Sequence, residues 1–134
     1  MKFKCLGDFA LVVGLLLTGI PLFAHHGTGV AYDTEKLVTL KGTVTEFRFQ
    51  NPHAQIFLDV KDSTGKLQNW ILEAVGIATL SRSGWTRSIM KPGDAITVTG
   101  NPAKNGSPSM RLTKVVLASG KELGLERGED YAGQ

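Results

Sequence analysis

A chain of 134 residues carrying 16 glycines, one cysteine and a formal charge of +3 has the length of a single domain. Its 15 basic and 12 acidic side chains are interspersed, not gathered into a stripe, which excludes the electrostatic footprint of a nucleic-acid binder. A single cysteine excludes an internal disulfide framework.

The first residues read as an address rather than a fold. Lys2 and Lys4 precede a run from Phe9 to Ala24 that is apolar apart from Thr18 and interrupted by Gly14 and Gly19. That is the layout of a secretory signal peptide over residues 1–24, too short and too abruptly ended for a membrane span. Asp8 ahead of the run and Leu22 near its end fit the pattern imperfectly, so an uncleaved N-terminal anchor is the alternative. Cleavage after Ala24 predicts an exported, periplasmic protein with no stable membrane insertion. It removes Lys2, Lys4, Asp8 and Cys5, leaving 13 basic and 11 acidic side chains and no thiol. About 110 residues then hold together by core burial alone.

Residues 25–36, which include His25, His26, Gly27, Gly29, Tyr32 and Asp33, lack periodicity and predict an extended or mobile arm. The folded domain is expected over 37–125. Val38, Leu40 and Val44 share one strand face, whereas Phe47 and Phe49 fall on the other parity. A parity switch within one strand predicts a bulge or bend near Thr45–Phe47, with Gly42 helping the strand curl. Ala54–Val60 and Leu67–Glu73 read as a hairpin, since Ile56, Leu58 and Val60 alternate with polar or aromatic neighbours across a turn containing Gly65. Ile77 and Leu80 fit a helix of about two turns ending near Gly84. Lys91-Pro92-Gly93-Asp94 signals a turn, and Ala95–Gly100 and Met110–Leu117 read as strands flanking a loop over Asn101–Ser109. Lys121–Leu125 predicts at most a short closing extension, and 126–134 a disordered tail. The order β-β-β-α-β-β, with a bent first strand and one short helix between strands three and four, predicts an all-β fold, a small five-stranded OB-like barrel. A generic antiparallel sandwich is the competing architecture.

Several short motifs stand in a fixed order along this chain. They are His25-His26, Tyr32-Asp33, Val38–Val44, Asn51-Pro52-His53, Asn69-Trp70 with Glu73, Arg82 with Gly84-Trp85, Lys91–Asp94 and Asn105-Gly106. The series resembles a family of small exported bacterial proteins catalogued as a domain of unknown function, and it spans essentially the whole chain after Ala24. The resemblance implies an exported location and a small β-rich fold, and carries no activity with it. The segment Ala74–Ser81 departs from the Pro-Asn-like helix start expected there, which leaves the helix cap open.

Chemistry concentrates on the three histidines. Cleavage after Ala24 would give His25 a free α-amine, which with its own Nδ1 can chelate one metal ion. A further imidazole, from His53 or less favourably from the adjacent His26, would complete a three-nitrogen set suited to copper(II). Capture would release protons and weaken as pH falls, because an α-amine titrates near 7.7–8. The plainer reading is a solvated histidine pair on a glycine-rich arm and a His53 bonded to backbone. A second candidate surface is an aromatic and arginine platform on the barrel, with Phe57, Trp70, Trp85 and Arg87 as ligand-binding residues for an exported protein or a small ligand; buried aromatics in so small a barrel are more often core. No Gly-x-Ser-x-Gly elbow, close histidine or cysteine pair, or phosphate loop is present. Asp59 and Glu73 on neighbouring strands are the one conceivable carboxylate pair. The sequence thus predicts a binding protein, metal-loaded or otherwise, and not an enzyme.

Overall fold

The computed structural model describes residues 31–125. Six strands, β1 (Val38–Arg48), β2 (Gln55–Lys61), β3 (Leu67–Glu73), β4 (Ala95–Pro102), β5 (Ser109–Val116) and β6 (Glu122–Gly124), form one sheet in the order β3-β2-β1-β4-β5-β6. The helix α1 (Ile77–Arg82) lies between β3 and β4. The sheet closes because β3 also pairs with β5, in parallel, through Ile71–Glu73 and Ser109–Arg111. Five strands closed in this order, with the helix in that position, make an OB-like barrel. Closure rules out the open two-sheet sandwich.

The bend of β1 follows from its sequence. Val44 pairs with Leu58 and Glu46 with Phe57, so Thr45 is an extra residue in the ladder. That insertion lets Val38, Leu40 and Val44 before it and Phe47 and Phe49 after it all turn inward. Two glycines permit the tight corners. A Cβ on Gly42 would collide with the Asp59 carbonyl, and one on Gly100, beside a second register shift in β4, would collide with the Arg111 carbonyl. Even-numbered positions of β2 fill the interior, with Ile56 and Leu58 fully buried against Leu72, Val98, Met110 and Val115. Each such side chain contributes about 1.5–3 kcal/mol relative to exposure.

The short helix is held from outside itself. Its N-cap, Gly76, offers no side chain, and the Ile77 amide donates instead to Asn51 Oδ1 at 3.4 Å. At the other end Gly84 adopts φ +83°. The Gly84 amide donates to the Ser81 carbonyl at 3.1 Å and the Trp85 amide to the Leu80 carbonyl at 2.9 Å. This Schellman pairing brings Leu80 and Trp85, both fully buried, together. Trp85 Nε1 donates to the Gly124 carbonyl at 3.2 Å, joining the helix to β6.

One expectation needs correction. Asn101–Ser109 is not all loop: β4 continues through Asn101 and Pro102, which pair with Arg111 and Met110, and Ser109 opens β5. Asn101 belongs in the sheet because its side chain is buried, with Nδ2 donating to the Lys36 carbonyl at 2.6 Å. The described end of the arm is extended but pinned. Tyr32 bridges Ala103, the Asp33 amide donates to the Pro102 carbonyl at 2.9 Å, and the Lys104 amide to the Ala31 carbonyl at 2.8 Å. The expected signal peptide, the histidines at 25 and 26 and the tail over 126–134 lie outside the described residues.

Candidate functional site

His53 stands in the connection between β1 and β2, in a frame of backbone bonds. The Ala74 amide donates to the Ala54 carbonyl at 2.9 Å and the Ala54 amide to the Val75 carbonyl at 3.2 Å, so the β2–β3 ladder runs past both strand ends. Positions 53, 55 and 57 share the outer parity of β2, and Glu73 on β3 lies opposite Gln55. His53 therefore meets Glu73 diagonally, Nδ1 to Oε1, at 2.6 Å. A carboxylate only accepts, so Nδ1 carries the hydrogen, and in the neutral form of this half-exposed ring Nε2 is the nitrogen with a lone pair for another partner.

The second Glu73 oxygen accepts from the Tyr32 hydroxyl at 3.0 Å. Burial, joined by the negative charge of Glu73, pushes the Tyr32 phenol above its ordinary pKa, against an opposing pull from the nearby Ser109 hydroxyl. Tyr32 thus stays a neutral donor, and the three side chains form a chain, Tyr32 to Glu73 to His53, that ties the arm to the histidine. Outer-shell carboxylates of this kind orient metal-ligating histidines. Among the described residues no three His, Cys, Asp or Glu side chains gather as a metal site.

The residues expected to form a ligand platform do not converge. Phe57 lies on the outer face of β2 with the Arg48 guanidinium 4.4 Å from its ring centroid, and Arg48 is held by Glu46 at 2.6 Å. Trp70, on the opposite parity of β3, packs inward against the core. Trp85 is 1% exposed and packs beside Phe47, so it presents no surface to a ligand. Arg87 sits 5.8 Å from the Phe49 ring centroid. Asp59 and Glu73 do not pair either: Asp59 accepts from Asn69 Nδ2 at 2.9 Å, whereas Glu73 serves Tyr32 and His53.

Sequence reasoning named His53 but missed its partners. The parity shared by positions 53 and 55, with Glu73 opposite, is the signal that leads to Glu73. Tyr32 stood out only as part of the Tyr32-Asp33 motif, and nothing in the sequence linked it to Glu73. Beside this triad a cleft of about 330 Å³ opens between β3 and the turn preceding β5, with Tyr32 and Glu73 on its wall. Among the described residues no helix is long and apolar enough to cross a membrane.

The mitochondrial single-stranded DNA binding protein Rim1 of S. cerevisiae is similar in structure, with 7% identity, a TM-score of 0.48, and coverage of 69% of this chain and 98% of that one. No curated protein matches the chain. The sequence model of a family of unknown function, DUF6152, matches residues 13–111, and this chain belongs to that family.

Proposed function

We propose that this is an exported, periplasmic metal-binding protein, that its metal is copper, and that His53 Nε2 is one ligand. The remaining ligands are the α-amine and imidazole of His25, exposed by cleavage after Ala24, with His26 the less favoured imidazole. One observation supports the reading: Glu73 Oε1 lies 2.6 Å from His53 Nδ1, a contact that in the neutral ring fixes the tautomer with Nε2 as the ligating nitrogen. The pinned arm supports it. Tyr32 touches the same carboxylate, and the seven residue steps from His25 to Tyr32 span at most about 25 Å when extended, so His25 can reach His53. Imidazole and amine nitrogens suit copper(II), which also heads the divalent affinity order. The role is capture and not catalysis.

The test has two stages. Mass spectrometry of the protein from the envelope should show His25 as the first residue; any other terminus sinks the amine ligand. Copper(II) titration should then show His53→Ala losing most of the affinity and Glu73→Gln weakening it about 10- to 100-fold, with both variants folded. Equal affinity in wild type and His53→Ala would exclude His53. A module without metal, contacting an exported partner, is the second reading, favoured by the outer pair of Phe57 and the exposed Ile71 on β2 and β3. It gains ground if purified protein takes up no copper.

A further inference from the structure

We propose that Asn105, on the turn between β4 and β5, is a site of spontaneous deamidation, and that the rearranged product loosens the N-terminal arm. The inference does not rest on the metal reading. The chain has four asparagines, and three are ill placed for this chemistry. Asn51 and Asn101 each precede a proline, whose nitrogen has no proton to give up and cannot serve as the nucleophile. Asn69 precedes Trp70 within β3, where the backbone is held in the ladder with β2 and Nδ2 donates to Asp59 at 2.9 Å. Asn105 is followed by Gly106, which puts no side chain in the way of ring closure.

The turn presents the reacting groups. Ala103 to Gly106 is closed by the Gly106 amide donating to the Ala103 carbonyl at 3.2 Å, and Gly106 takes φ +75°. Asn105 and Gly106 are both exposed, and a Cβ on Gly106 would meet no atom within 4 Å, so water reaches the peptide between them. The Ser107 amide donates to Asn105 Oδ1 at 3.0 Å. That contact folds the side chain back over the peptide that follows it. It also draws electron density from Cγ and stays in place for the oxyanion that forms there on attack. The opposing contact is the bond from Gly106 to Ala103, which holds the nucleophile's proton. It lies at the long end of the hydrogen-bond range and is open to solvent, so it yields readily.

In the reaction the Gly106 nitrogen gives its proton to water or hydroxide, and its electron pair forms a bond to Cγ. The bond from Cγ to Nδ2 breaks, and the side-chain nitrogen leaves as ammonia, closing a succinimide. Water then opens that ring at either carbonyl, leaving aspartate or isoaspartate. In net terms one water is consumed and one ammonia released. Both products add a negative charge. Isoaspartate also routes the main chain through its side-chain carbons, which lengthens the turn by one atom. This turn is where the arm is held: Tyr32 bridges Ala103, and the Lys104 amide donates to the Ala31 carbonyl at 2.8 Å. The lengthened turn cannot keep the bonds from Gly106 to Ala103 and from Ser107 to Asn105 at their present spacing, so the neighbouring bonds to the arm weaken with them.

The experiment follows the full-length chain through weeks at mildly alkaline pH, beside the same chain held unfolded in guanidinium chloride. Peptide mapping by mass spectrometry reads the exchange of an amide nitrogen for oxygen at each asparagine, and isoaspartate methyltransferase labels the rearranged product. Asn105 in the folded chain should convert within about tenfold of the unfolded rate, with isoaspartate formed and the other three asparagines unchanged. Asn105→Gln, which would have to close a larger ring, should stay unmodified while folding as wild type does. In the isoaspartate fraction, separated by its charge, the Asp33 and Lys104 amides should exchange about tenfold faster than in Asn105→Gln, with Leu58 unaltered. Conversion more than about tenfold slower in the folded chain would mean that the bond to Ala103 shields the nucleophile, and overturns the proposal. Conversion of another asparagine at an equal rate overturns it as well. Arm amides that exchange alike in the two forms overturn the loosening.

Discussion

Two regions that meet at the Glu73 end of β3 are built to opposite specifications. Past Glu73 the chain enters α1, and there Leu80 and Trp85 are sealed in the core, every helix terminus has a partner, and Trp85 Nε1 reaches Gly124. Beside Glu73 itself, on the outer face, a histidine stands half exposed and a phenol crosses from the arm to share its carboxylate. The first region is consistent at every level, from turn glycine to buried aromatic. The second departs from that consistency within a few ångströms of it. The helical pole adds Leu80 and Trp85 to a core that also runs through β1 to β5.

This contrast breaks most sharply at Trp85. Trp85→Ala should cost about 3–5 kcal/mol in urea unfolding, because a fully buried aromatic leaves a cavity and the Gly124 carbonyl loses its donor. A loss under about 1 kcal/mol would mean that the pole is not where the fold is anchored. Gly100→Val should follow at about 1–3 kcal/mol, since the backbone carbonyl of Arg111 cannot yield to a new side chain. Neither substitution touches His53, so copper uptake measured on the folded fraction should be unaffected.

The pole was far more legible than the rim. Period-2 alternation exposed β1 to β5, the parity switch located the bulge at Thr45, and Gly84 marked the helix end, because each is a local rule with one outcome. Asn101 and Pro102 looked like loop residues by composition, yet sit in β4 because the Lys36 carbonyl satisfies the buried amide. Trp85 looked like a candidate ligand contact for the same reason that it is core: aromatics serve both purposes, and only burial separates them. At the rim, His53 was conspicuous by rarity, whereas its partner Glu73 was missed although strand parity points to it. The contact of Tyr32 with Glu73 was not readable, since it depends on how the arm crosses the β4–β5 connection in three dimensions.

Tyr32→Phe sharpens the contrast from the other side. It removes one hydrogen bond to Glu73 and should cost about 0.5–1.5 kcal/mol. Its clearer readout is faster hydrogen exchange at the amides of Asp33 and Lys104, which pin the arm. The folded state raises the phenol's pKa, so this contribution is fully present below the unfolded value near 10 and fades as pH rises through the folded value. Wild type and variant should therefore converge in strongly alkaline solution. If their separation persists there, the phenol is not the tether.

The smallest effect is expected at the β2–β3 turn, which belongs to neither region. Asp62 accepts from the Thr64 hydroxyl at 2.6 Å, and from the amides of Thr64 and Lys66 at 2.8 and 3.0 Å. The Thr64 hydroxyl first, then its amide, holds the carboxyl below its usual pKa. A depressed folded pKa means stability that is present above the unfolded value near 3.9 and lost as pH falls through the folded one. Asp62→Ala should thus lower the urea midpoint slightly at pH 7, and the difference should close in acid below that value. Asp62→Asn separates the causes, since its amide oxygen still accepts from the Thr64 and Lys66 amides without a charge. If Asn matches wild type at pH 7, the turn depends on acceptor geometry alone; if Asn matches Ala, the charge holds the turn. In both cases the exchange rates of the Asp33 and Lys104 amides should stay as in wild type, because the turn lies at the opposite end of β3 from Glu73.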